Sequence, residues 1–391
     1  MVQPATWITR LALHDFRNYA HASLEPGACP VVLVGHNGAG KTNVLEAVSL
    51  LSPGRGLRRA AFPDMTRARA PSEAGADTAG SWSVSAKLNS DGDDITIGTG
   101  LAAEAGSARG GRVVRIDGAA QKSANVLADY TEMMWLTPAS DGLFTGPAAE
   151  RRRFLDRLVL CFDPAHGARS NQFDRAMRQR NKLFEIGARS DREFTGLEDV
   201  LAQTGVAIAA ARATLVERLQ NVIARRRETS GDTAFPDAVL ALDGGLEQAL
   251  TTEAASDVEE AYRARLAQNR GRDHAARRTL EGPHRSDLVV THGPKDMIAR
   301  LCSTGEQKAL LVGLVLAHAD MLARRAKQAA PFLLLDEIAA HLDAERRAAL
   351  FDELSALGSQ AWMTGTDRAQ FAHLDGRATF FEVTDGHVAP M

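Results

Sequence analysis

The chain has 391 residues, 45% of them hydrophobic and 24% charged, with a formal net charge of −3 at pH 7. At roughly 150 residues per domain that is room for two or three packed cores, and the balance excludes a uniformly basic nucleic-acid binder. Cys29, Cys161 and Cys302 are scattered and odd in number, which excludes a disulfide framework and a zinc-ligand spacing and points to a reducing compartment. The opening MVQPATWITR has neither the basic region nor the apolar core of a signal peptide, and the apolar runs fall short of a membrane span. A cytoplasmic protein without a membrane partner is the expectation.

Trp7 to Phe16 alternates loosely and predicts a strand, and Cys29 to Gly35 (CPVVLVG) is a short β-branched run of the buried-strand type. After the glycine-rich loop, Lys41 to Leu51 predicts a helix with Val44, Leu45, Val48 and Leu51 on one face. Arg67 to Gly80 is rich in Ala, Gly and Ser and reads as a loop. Alternating pieces between about 82 and 118 predict a small antiparallel sheet. From Glu150 to Arg278 the periodicity is helical, with a break near Ser230 to Pro236. A strand over Asp287 to Thr291, a helix over Gln307 to Ala323 and a buried strand over Phe332 to Leu335 then restore α/β character. The expected architecture is an α/β P-loop ATPase domain with a mixed sheet, made from residues 1–135 and 282–391, and a mainly helical domain inserted at 136–281.

The segment GHNGAGKT, residues 35 to 42, carries the first chemistry. Gly35, Gly38 and Gly40, with His36, Asn37 and Ala39 between them, allow backbone N–H groups to turn inward around phosphates at a helix N-terminus. Lys41 is the expected point charge on the β- and γ-phosphates of ATP, and the Thr42 hydroxyl is a candidate ligand for Mg2+. An NTPase also needs a carboxylate at the end of a buried strand, and Asp336 after Phe332 to Leu335 supplies it as the second magnesium residue. Glu337 beside it is the candidate for polarising the attacking water. Ahead of that strand, CSTGEQ places Ser303 and Gly305 at a helix start, an anion-binding corner or an ordinary cap. Beyond it lies Asp343 in AAHLD.

This order of P-loop, long insertion, S-x-G signature, acidic strand end and L-D resembles the ABC ATPase superfamily and its SMC-like branch. The resemblance implies an ATP-sandwiched homodimer in which Ser303, Gly305 and Gln307 complete the site of the other copy, with Asp343 as the D-loop residue. Four further stretches resemble the RecF family of DNA replication and repair proteins. They are LALHDFRNYAHASLEP with Phe16, Arg17 and Asn18 in an F-R-N position, LFTGPAAERRRFLDRLV, EGPHRSDL, and LLLDEIAAHLDAERRAAL with His341, Leu342, Asp343 and Arg347. Departures are STGEQ, where Glu306 pushes Gln307 one place along, and Ala139 where an acid is usual, with Asp141 nearby as a substitute. No glutamine matches the superfamily's Q-loop, and Thr366 in MTGTD is the candidate in place of a switch histidine.

The family resemblance implies an ATP-dependent clamp on double- and single-stranded DNA at gaps or junctions, with weak, DNA-dependent hydrolysis that releases it. It also implies a role in recombinational repair, loading the RecA recombinase through RecO and RecR partners. Arg17 is a candidate phosphate contact. Arg151 and Arg152, in Arg151 to Arg153, are candidates for DNA or for an amphipathic helix start, and Arg178 and Lys182, with Arg175 and Arg180, for a phosphate-binding face. Arg225 to Arg227 and Arg263 to Arg278 add positive charge, and Arg285, after His284, stands where DNA could be coupled to ATP. The alternatives are a transporter ATPase subunit and a non-hydrolysing scaffold that uses ATP as dimer glue.

Overall fold

The computed structural model describes residues 4–68, 81–90, 92–101, 111–187, 191–230, 234–325, 330–340 and 342–391; most of the expected loop at 67–80, and His341, lie outside them. The chain divides into two compact units, Met1–Ser140 with His318–Met391, and Asp141–Ala317. In chain order the first contains β1 (Thr6–Phe16), β2 (Tyr19–Leu24), β3 (Val31–Val34), α1 (Lys41–Ser49), β4 (Trp82–Ser90), β5 (Asp93–Leu101), β6 (Arg112–Ile116), β7 (Ala119–Ala120) and β8 (Met133–Leu136). The second contains α2 (Ala148–Leu160), α3 (His166–Glu185), α4 (Asp191–Ser230), β9 (Ala238–Asp243), α5 (Gly245–Ala249), α6 (Ala255–Gln268), α7 (Arg270–Ala276), β10 (Asp287–His292), β11 (Met297–Ile298) and most of α8 (Thr304–Ala323). The first unit resumes with β12 (Phe332–Leu335), α9 (Ala344–Leu357), β13 (Ala361–Gly365), β14 (Thr379–Thr384) and β15 (His387–Pro390).

The first unit has an antiparallel sheet ordered β2-β1-β4-β5-β6-β7 and a mixed sheet ordered β15-β14-β3-β13-β12-β8. In the antiparallel sheet the alternation of β4 is realised: Trp82, Val84, Ala86 and Leu88 are buried on one face. The central strands of the mixed sheet pair in parallel, and β3, β12 and β13 are buried at every residue. That burial is why their sequences are continuous apolar runs. One hydrophobic cluster joins Leu11 and Leu13 of β1, Val84 of β4, Val44, Leu45 and Val48 of α1, Leu33 of β3 and Trp362 of β13. The helix after the glycine loop is therefore packed between residues of both sheets.

In the second unit α3, α4 and α6 share a core that includes Phe173, Leu201, Val206, Ala209, Val258 and Tyr262. Although the apolar runs of the sequence read as short of a membrane span, helix α4 is long and apolar enough by composition to cross one. It is instead a core helix: Leu201, Ala202, Ile208 and Leu219 are buried, and Glu198 and Arg212 are held in ion pairs. Within the region read as mainly helical, β9 follows the break near Ser230 to Pro236 and pairs antiparallel with β10. That pairing gives the segment from β10 to Ala317 its contacts in the second unit, whereas the sequence places the return to the ATPase domain at 282.

Candidate nucleotide site

Parallel pairing sets the site's geometry. Val34, Gly365, Leu335 and Leu136 end neighbouring strands β3, β13, β12 and β8, so the loops that follow β3 and β12 leave the same sheet edge. The first of these is the glycine loop. Gly38 (φ 88°) and Gly40 (φ 119°) take left-handed backbone that other residues adopt at a cost. At Gly40 a Cβ would stand 2.5 Å from Asn18 Nδ2 and 2.6 Å from the Tyr19 hydroxyl. At Gly35 a Cβ would collide with the Val383 carbonyl.

The loop is buttressed from the β1–β2 turn. Asn18 Nδ2 donates to the Ala39 carbonyl (3.0 Å), the Tyr19 hydroxyl to the Gly40 carbonyl (3.0 Å), and Asn43 Nδ2 to Asn18 Oδ1 (2.7 Å). His36 faces Asp385 at 3.3 Å. From the F-R-N stretch it is Asn18, with Tyr19 after it, that reaches the loop; the sequence marks Asn18 only as a motif position and gives no sign of Tyr19. Arg17 is committed elsewhere. Its guanidinium makes two bonds to Glu46 (2.8 and 2.7 Å) and one to the Asp64 carbonyl (2.9 Å). Glu46 is fully buried on α1 and is paired with both Arg17 and Arg58, so Arg17 braces the helix behind the loop.

The Lys41 ammonium closes the loop from inside, donating to the carbonyls of Gly35 (2.6 Å) and His36 (2.8 Å). Burial pushes it below its ordinary pKa, while the Glu337 and Asp336 carboxylates pull it back up. Those acids therefore act on the same space as the lysine. The Thr42 hydroxyl donates to both oxygens of Asp336 (2.9 and 3.0 Å).

Between the two loops stands Thr364 of β13, fully buried, where the sequence points instead to Thr366. Its hydroxyl donates to Asp336 Oδ1 (2.8 Å) and accepts from the Glu337 backbone N–H (2.8 Å). Thr366 is exposed and two residues farther along. The available signal was a threonine inside the apolar run AWMTG. Glu337 is partly exposed and holds left-handed backbone, φ 50°, strain of the kind kept where a side chain must point one way. Thr364→Val is expected to reduce turnover about 10- to 100-fold, as loss of outer-sphere support does, with a folded protein by circular dichroism; parental turnover would refute the role.

A hydroxyl and a carboxylate 2.9 Å apart are hard oxygen donors, the set Mg2+ takes from proteins when phosphate and water supply its other ligands. Among the described residues no group of three or more His, Cys, Asp or Glu could hold a metal by itself. The residues present fit Mg2+ held jointly with a nucleotide.

In the second unit, Ser303 and Glu306 form a reciprocal cap on α8. The Ser303 backbone N–H and hydroxyl both donate to Glu306 Oε2 (2.9 Å each), and the Glu306 N–H is directed at the hydroxyl (3.4 Å). Lys295 and these bonds hold the Glu306 carboxyl down at about 2. Ser303 is exposed, and a Cβ on Gly305 would meet nothing, so this corner is open to a ligand. Gln307 is not part of it: it is buried, and its amide donates to the Cys302 carbonyl (2.8 Å). In the first unit Asp343 is exposed and caps α9, accepting from the Arg346 N–H at 2.8 Å.

The basic residues separate into bound and free. Arg151 is paired with Asp287 (2.8 Å) and donates to the Gly146 carbonyl (2.6 Å); Arg152 donates to the Ser286 carbonyl (2.6 Å). Both close the start of α2 onto β10, which fits the helix-start alternative of the two readings the sequence offers. Arg180, from the expected basic face of α3, is fully buried and spans Glu198 (3.1 Å), Asp273 (2.6 Å) and the Leu266 carbonyl (2.8 Å). Arg180→Met leaves Asp273 buried without this counter-ion and is expected to cost about 3–5 kcal/mol of unfolding free energy, measured by chemical denaturation; a change under about 1 kcal/mol would contradict the network's importance. Lys182 is exposed and paired with Glu185 (3.0 Å). Arg178 and Arg285 are exposed.

The chain matches the RecF/RecN/SMC N-terminal domain over residues 7–388. It is similar to the DNA replication and repair protein RecF of Mesorhizobium japonicum, with 53% identity over 98% of both chains. The RecF of Brucella suis is 52% identical over 97% of this chain and 95% of its own. Among solved structures it is similar to one described as the recombination mediator protein RecF-ATPrS in the RecFOR pathway, with TM-score 0.83, 21% identity and coverage of 100% and 99%. The Smc head domain of Pyrococcus furiosus shares the fold more distantly, with TM-score 0.55, 16% identity and coverage of 99% and 96%.

Proposed function

The chain belongs to the RecF family of DNA replication and repair proteins, and from that premise we propose that it is an ATP-dependent DNA-binding protein of recombinational repair and replication-fork maintenance. It works in the cytoplasm as an ATP-sandwiched homodimer on double- and single-stranded DNA at gaps or junctions, and helps load the RecA recombinase with RecO and RecR. The observation that carries the reading is the chain of bonds Thr42–Asp336–Thr364–Glu337 beside Lys41. It joins a metal ligand pair, a water-orienting acid and a phosphate cation within one sheet edge. Family membership argues against the transporter alternative.

In this reading the glycine loop binds and orients the triphosphate through its N–H groups and Lys41 exchanges the Gly35 and His36 carbonyls for phosphate oxygens. Thr42 and Asp336 hold Mg2+, which when bound neutralises charge on the β- and γ-phosphates. Glu337 accepts the proton of the attacking water. Ser303 and Gly305 of a second copy cover the γ-phosphate, so hydrolysis is weak until the pair has closed, and DNA favours closure. The test is to measure particle mass and binding of gapped DNA with and without ATP. ATP-dependent doubling of mass with tighter DNA binding is expected; monomeric, ATP-independent binding would overturn the proposal.

A further inference from the structure

Eight non-glycine residues among those described hold left-handed backbone: Asp15, Arg17, Arg59, Asp117, Arg277, Asp296, Glu337 and Asp385. The aspartates need no special account, since Asp tolerates this region in turns. Glu337 lies at the nucleotide site, Arg17 braces the helix behind it, and Arg59 follows that helix in the first unit. Arg277 is the one non-aspartate of the set in the second unit. It ends α7 at φ 52°, a position where glycine is the unstrained choice, and its guanidinium makes no hydrogen bond or ion pair with another described residue.

Arg277 stands among other free cations. Arg278 follows it, and the next residue, Thr279, is bound to α3 by its N–H and hydroxyl, both directed at Asn181 Oδ1 (2.7 and 2.9 Å). Arg178 lies one turn before both Asn181 and Lys182, so it neighbours each of them on the surface of α3. The His284 ring contacts the Thr279 carbonyl (3.1 Å) and lies against Phe173 of α3 (5.7 Å), which fixes Arg285 at the far end of the same segment. Arg178, Arg277, Arg278 and Arg285 are all exposed and without side-chain hydrogen bonds or ion pairs to described residues, unlike Arg151, Arg180, Arg212 and Arg270 of the same unit. Of the nearby acids, Glu281 pairs with Arg265 and Arg272 and Glu185 with Lys182; Asp174, exposed one turn before Arg178, makes no ion pair with it but feels its charge, which offsets part of the rise that desolvation gives the carboxyl.

We propose that the turn Arg277–Arg278, with Arg178 and Arg285, is a docking surface for the phosphodiester backbone of DNA. This rests on the repair reading above and adds the place of contact. Cations held on a rigid frame suit phosphates, whereas a protein partner calls for an apolar centre; the exposed large hydrophobic of α3, Ile186, lies past Lys182 at the end of the helix, two turns from Arg178. Because the contacts are to backbone, they position DNA without reading its sequence.

The variants Arg277→Gly, Arg277→Gly with Arg278→Gln, and Arg285→Gln are to be titrated against a labelled gapped duplex with ATP at several salt concentrations, alongside thermal melts. Arg277→Gly is expected to melt no lower than the parent, since it relieves the left-handed backbone, yet to bind DNA several-fold more weakly. The double variant is expected to lose about two from the slope of log affinity against log salt, near one per phosphate contact. The loss should be the same for unrelated sequences. If the parent binds DNA and all variants match its affinity and slope, the surface is overturned and the repair reading stands. If the parent fails to bind DNA with ATP present, both fall.

Discussion

Glu337→Gln is expected to bind ATP with parental affinity, to hydrolyse it at least about 100-fold more slowly, the contribution of a positioned general base, and to accumulate as long-lived dimers. The amide keeps the size of the side chain and the Thr364 hydrogen bond, which goes to the backbone N–H of Glu337. It removes the carboxylate that takes a proton from water. It also removes one of the two charges raising the pKa of Lys41, and Asp336 remains as the other, so phosphate binding should survive. Single-turnover hydrolysis and dimer lifetime decide this. Unchanged turnover would leave Glu337 without a catalytic role and favour ATP as a structural glue.

Lys41→Met separates binding from folding. The ammonium is buried against two carbonyls, and burial disfavours its charge; methionine retains the apolar stem and removes that cost. The variant should therefore unfold no earlier than the parent. Its affinity for ATP should fall by about 2–4 kcal/mol, the scale of losing one partner of a desolvated charge pair, or roughly 30- to 1000-fold. Calorimetric titration with ATP and a melting curve measure the two effects together. A melting temperature well below the parent's, with ATP affinity intact, would reverse the assignment and make Lys41 structural.

The parts of the site visible in the sequence are those whose chemistry is written in adjacent residues. Gly38, Gly40, Lys41 and Thr42 are contiguous, and Asp336 and Glu337 end an apolar run. The rest depends on pairing between distant segments. Thr364 matters because β13 lies between β3 and β12, an order that no local pattern announces. Asn18 and Tyr19 reach the glycine loop because the β1–β2 turn lies against it, and Arg17 is recruited by a glutamate hidden inside an amphipathic helix. Periodicity described the inserted region as helical and overlooked β9, since AVLALD after a break is as compatible with helix as with strand until β10 is seen beside it. The same limit applies to charge: Arg178 and Arg180 look alike in a basic run, but one is exposed and the other spans two buried acids. Gln307 shows the limit of a resemblance: Glu306 displaces it by one place from the superfamily's glutamine, and there its side chain is turned into the protein.

The central claim is that residues 35–42 and Asp336 make half of a working site, completed by the Ser303–Gly305 corner of another copy. Sedimentation velocity of Ser303→Arg with ATP and Mg2+ tests it most directly, because the substitution fills an exposed corner and leaves the glycine loop untouched. The parent should double in mass, while Ser303→Arg should bind ATP with parental affinity, remain monomeric and fail to hydrolyse it. A Ser303→Arg protein that dimerises and turns over ATP like the parent would show that each chain carries a complete site of its own.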